Sequence, residues 1–133
     1  MMHIFRSFLI LIFLFGTHVA NAGWSVLASD KIAVEYVNLE TIERDGYFVK
    51  MWNLSDFATP QEIGNGMRFR STKALQEYDC VSNKKRLISL LHYTDSMGKG
   101  TVAYHDVNPD IWRTVVNASL GEQHLKAACQ FRK

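Results

Sequence analysis

From Trp24 onward, apolar and polar positions change mostly with the two-residue period of strands rather than the 3.6-residue period of helices. Trp24-Ser25-Val26-Leu27-Ala28 is short and β-favouring, Asp30-Lys31 reads as a turn, and residues 32–37 alternate apolar against smaller or polar side chains. Residues 39–44 read as a brief helical turn. Asp45-Gly46 is a strong turn signal, and the aromatic-rich residues 47–54 after it read as a central strand partly covered on both faces. Pro60, Gly64 and Gly66 make residues 58–66 a loop between paired strands. Residues 67–80 resume alternation, with Arg68 and Arg70 opposite to Met67 and Phe69 until a bulge or bend near Ala74 resets the phase. Ser82-Asn83-Lys84 turns the chain into a strand over residues 85–94. Met97-Gly98-Lys99-Gly100 is a tight glycine turn ahead of another strand over residues 101–105. Consecutive hairpins of this kind favour an antiparallel meander, which needs no long crossovers.

The last segment, residues 120–132, changes period. Ser119 and Glu122 form a Ser-x-x-Glu capping box at a helix start. At 100° per residue, Glu122, Gln123, Lys126, Gln130 and Lys133 fall on one arc, while Leu120, Leu125, Ala127, Ala128, Cys129 and Phe131 fall on the other. Gly121 lies on the apolar side, which implies close approach to a sheet. A helix this short is marginal alone, so packing must hold it. The expected fold is therefore α+β: an antiparallel meander of about six strands with a C-terminal helix packed on one face.

The first residues carry a different signal. His3 and Arg6 precede an apolar run over residues 8–15, and Ala20-Asn21-Ala22 has small residues at signal-peptidase spacing. Residues 1–22 are expected to be a cleaved secretory signal peptide and residues 23–133 a single domain, with no integral membrane span after cleavage. Removing Arg6 lowers the formal charge from +2 to +1, a balance that gives no nucleic-acid footprint. The remaining cysteines are Cys80 and Cys129. In an exported chain a disulfide between them is the default, tethering the helix to the sheet.

Candidate chemistry is sparse. His92, His105 and His124 match no metal-ligand spacing, and the cysteine pair lacks zinc-site spacing, so no metal or cofactor is expected. Carboxylates such as Glu40, Glu43 and Asp79 are spaced as surface or turn residues, and no nucleophile-elbow signature is present; the chain does not read as an enzyme. One charge cluster stands out. Lys84-Lys85-Arg86 lies at a turn, with Arg68 and Arg70 on a strand expected nearby, and the five are candidate partner-binding residues for an acidic protein or sulfated glycan. A solvated hairpin tip is the plainer explanation of that cluster. Trp24, Trp52 and Trp112 read as core or interface residues rather than sugar-stacking platforms.

Several ordered motifs are shared with a known family. They are Glu35-Tyr36-Val37-Asn38 with Thr41-Ile42, Val49-Lys50-Met51-Trp52-Asn53-Leu54, Ser71-Thr72-Lys73 leading to Glu77-Tyr78-Asp79-Cys80, Met97-Gly98-Lys99-Gly100, and Trp112 ahead of Cys129. On these the sequence resembles the surface-adhesin protein E family, small exported domains of Gram-negative bacteria. The resemblance implies a six-stranded antiparallel sheet with a disulfide-tethered C-terminal helix. It also implies an outer-surface adhesin for a protein partner, such as a host extracellular-matrix protein or plasminogen, that can pair into homodimers through its sheet. No lipid-attachment cysteine stands at the cleavage site. The periplasm and the cell surface are thus both open, and the alternative function is a periplasmic structural or interaction module of the envelope.

Overall fold

The computed structural model describes residues 23–131. The expected signal peptide lies outside the described residues, as do Arg132 and Lys133. Seven strands and one α-helix follow in order: β1 (Trp24–Ser29), β2 (Ala33–Asp45), β3 (Phe48–Ile63), β4 (Met67–Asp79), β5 (Lys84–Tyr93), β6 (Val102–Asp106), β7 (Arg113–Thr114) and α1 (Leu120–Gln130). The first six form an antiparallel meander in sequence order. The two-residue β7 joins the far end of β5, against Lys84 and Lys85, where β6 no longer reaches.

Two local expectations are corrected. Residues 39–44 are not a helical turn but part of β2, where the register against β3 slips between Asn38 and Glu43. Side chains replace the missing ladder bonds. Asn38 Oδ1 accepts from the Glu40 N–H at 3.2 Å, and the Thr41 hydroxyl donates to the Asn38 carbonyl at 2.7 Å while accepting from the Trp52 N–H at 3.1 Å. The bulge turns Ile42 into the core, a placement that mimics helical spacing in the sequence. Residues 58–66 are likewise not all loop, since β3 runs to Ile63 and the turn is confined to Gly64-Asn65-Gly66. Pro60 sits where the β3–β4 register breaks between Asp56 and Gln61, so no ladder donor is asked of it. Arg70 fills the gap, donating to the carbonyls of Phe57 at 2.8 Å and Ala58 at 3.0 Å.

The bulge expected near Ala74 appears one position on, between Leu75 and Gln76, and the extra residue is Ile88 on β5. The glycine turn at residues 97–100 overlaps a short 3₁₀ turn, Ser96–Gly98.

Strand alternation sends Val37, Val49, Met51 and Tyr78 to one face, where Leu125 and Ala128 of α1 and Val115 complete the core. At the helix start Ser119 Oγ accepts from the Glu122 N–H at 3.2 Å, which is one of the two bonds of the expected capping box. Lys126 pairs with Glu122 at 3.2 Å. Gly121 is buried, and a Cβ there would stand 2.8 Å from Lys85 Nζ. Leu120, expected on the covered arc, is instead exposed. Cys80, just past β4, is bonded to Cys129 of α1, with Cα atoms 5.8 Å apart. Among the described residues, no helix is long and apolar enough to cross a membrane.

Candidate functional site

The five basic residues singled out in the sequence do not meet in one patch. Lys84 is exposed and pairs with Asp79, whereas Arg68 pairs with Glu62 near the opposite end of β4. Eleven strand positions separate those ends, roughly 35 Å at about 3.3 Å per residue. Lys85 turns under the N-terminal end of α1, beside Gly121 and His124. Arg86 is held by Glu77 at 2.7 Å and stacks on the Trp112 ring at 4.7 Å, and Arg70 caps the carbonyls of β3.

The histidines do not converge either. His92 sits opposite Tyr104 and His105 opposite Leu91, consecutive registers that point to opposite faces of the sheet. The His92 ring stacks on Phe69 at 4.0 Å and its Nδ1 lies 2.8 Å from the Thr72 hydroxyl; burial holds its pKa below the ordinary value. His124 is buried in the helix interface, with Nε2 unpartnered among the described residues. Burial, and then the charge of Lys85, bring its pKa down to about 4. No group of three or more histidine, cysteine or acidic side chains is placed to hold a metal among the described residues.

What the sheet does bring together is a concavity on the face away from α1. Trp24 pairs with Asn38, Asn38 with Trp52, and Leu54 with Lys73, which in turn pairs with Leu91. Because Val49 and Met51 point to the helix, Trp52 and Leu54 point the other way. The result is a hollow of about 350 Å³ walled by Trp24, Trp52, Leu91 and Tyr93, with Asn38, Thr41 and Lys73 as its polar members. The Trp24, Trp52 and Tyr93 rings are half-buried rather than enclosed in the core. Period-two patterning could place these side chains on one face, but not show that α1 would leave that face uncovered.

Residues 24–130 match the family model described as Surface-adhesin protein E. The chain belongs to the surface-adhesin protein E family. Its fold is also that of solved structures of protein E from Haemophilus influenzae. Crystal form II gives a TM-score of 0.66 at 13% identity, covering 82% of this chain and 88% of that one. Another crystal structure of the same protein gives 0.64 at 13% identity over 82% and 85%. That from a non-typeable strain gives 0.60 at 12% identity over 82% and 76%. No curated protein sequence matches significantly. In this adhesin E-type chain, the tethered helix covers one face of the sheet and leaves the aromatic hollow open on the other.

Proposed function

We propose that this protein is an exported, non-enzymatic, adhesin-like binding protein that meets a protein partner, such as a host matrix protein or plasminogen, through the sheet face opposite α1. Membership of the family supports an adhesin-like surface protein. The carrying observation is the half-buried cluster of Trp24, Trp52, Leu91 and Tyr93 around an open hollow. Aromatic side chains of this kind dominate interface energetics. The Lys84-Lys85-Arg86 turn is the weaker candidate surface, because Arg86 is engaged by Glu77 and Trp112 and Lys85 by the helix end.

Binding of the mature domain to immobilised matrix proteins and plasminogen tests this reading. Tyr93→Ser should weaken saturable binding by about tenfold, while a Lys84, Lys85, Arg86 triple alanine variant should bind like the parent. Absence of saturable binding by the parent at physiological salt rejects the adhesin function. Protease shaving of intact cells, compared with periplasmic extracts, tells a displayed protein from an envelope module.

A further inference from the structure

Lys73 is placed unusually for a strand lysine. Its ammonium lies 5.2 Å from the centre of the Tyr93 ring and 5.9 Å from that of Trp24, inside the hollow, and it joins none of the ion pairs among the described residues. The Met97-Gly98-Lys99-Gly100 motif explains how it is held. Asp56 Oδ1 accepts from the Met97 N–H at 3.0 Å, and the buried Ser71 hydroxyl accepts from the Gly98 N–H at 2.8 Å while donating to the Asp95 carbonyl at 2.5 Å. These bonds press Gly98 against the lysine stem. A Cβ at Gly98 would stand 2.3 Å from Lys73 Cε, and the positive φ of 67° there also favours glycine. A cation braced among rings and paired with no carboxylate among the described residues is complementary to an incoming anion.

We propose that the Lys73 hollow is a recognition pocket for an acidic peptide: a carboxylate side chain of the partner protein pairs with Lys73 while the apolar side chain beside it lies against Trp24, Trp52 and Tyr93. This rests on the adhesin reading and specifies the chemistry of its contact. A saccharide fits the same walls less well. Its several hydroxyls need partners, whereas the Thr41 hydroxyl and Asn38 Oδ1 are already engaged within the β2 bulge. A carboxylate needs one cation and offers the rings an apolar neighbour.

The probe is the terminally blocked hexapeptide Gly-Ser-Glu-Phe-Gly-Ser, titrated into the isotope-labelled mature chain and followed by the indole N–H resonances. Saturable shifts at Trp24 and Trp52, with Trp112 as an unmoved control, are expected, and they should weaken with added salt. The peptide with glutamine in place of glutamate, and the variant Lys73→Met, should each bind about tenfold more weakly, while Lys73→Arg should restore most of the affinity. Gly98→Ala should weaken binding by displacing the lysine; if it does not fold, Lys73→Met, at a half-buried surface position, carries the test. Equal affinity for parent and Lys73→Met overturns the proposal, as do preferential binding of glucuronic acid or loss of the hollow to a second copy in sedimentation. Matrix-protein binding that survives those failures leaves the adhesin reading standing, while its absence beside intact peptide binding rejects that reading alone.

Discussion

Nη2 of Arg44, at the end of β2, donates to the carbonyl of Phe131 at 2.9 Å, and the same atom reaches the carbonyls of Ala128 and Cys129 at 3.3 and 3.4 Å. The last carbonyls of a helix have no internal partners and carry its partial negative charge, so a guanidinium there both satisfies and neutralises them. Arg44→Ala should lower stability by about 1 kcal/mol. Urea unfolding should show a lower midpoint with an unchanged slope.

The disulfide constrains the same helix by a different route. Cys80 and Cys129 are 49 residues apart, and opening a loop of that length returns denatured-state entropy worth about 4 kcal/mol in the chain-entropy model. A double Cys80→Ser, Cys129→Ser variant should lose a large share of the stability of a small domain, with α1 losing hydrogen-exchange protection before β3 and β4. Equal protection of helix and central strands in that variant would show that packing alone docks α1.

Tyr78 and Asn53 form a buried polar pair beneath α1: Asn53 Nδ2 donates to the Tyr78 hydroxyl at 2.9 Å, and Asn53 Oδ1 has no partner among the described residues. Burial, opposed by that hydrogen bond, pushes the phenol well above its ordinary range. Tyr78→Phe should cost about 1–3 kcal/mol by stranding the amide, and adding Asn53→Leu should recover much of it. Thermal denaturation of the two single variants and the double variant measures the coupling.

Acidification should loosen the helix through His124. Its folded pKa of about 4 lies below the ordinary 6.5, so the unfolded chain takes up the proton first. Stability is therefore complete above pH 6.5, declines as pH falls towards 4, and levels off below, a span on the order of 3 kcal/mol. Glu35 works in the opposite sense, since burial, only partly offset by the Ser55 hydroxyl, holds its pKa above the ordinary range. Comparing parent with His124→Gln across this range isolates the histidine: the variant should lose the decline between pH 6.5 and 4.

The turns at Asp45-Gly46 and residues 82–84, the strand periods and the Ser119 cap were all legible from local chemistry, because each depends on a few adjacent residues. The bulge at residues 39–42 was not, because its hydrogen bonds pair Thr41 with Trp52 across two strands, and local spacing there is equally compatible with a helical turn. The same holds for the long end of β3, where Arg70 supplies what Pro60 cannot.

By itself the sequence determined the antiparallel hairpins and an amphipathic last helix, since period and turn residues act at short range, and its two cysteines identified the bond between them. Only the tertiary structure decided which cations are engaged. Arg86 and Lys85 are drawn off by Glu77, Trp112 and the helix end, while Lys73, isolated in the sequence, is set among Trp24 and Tyr93. Charge in a sequence says where a cation is attached, but strand register and the choice of covered face decide what surrounds it.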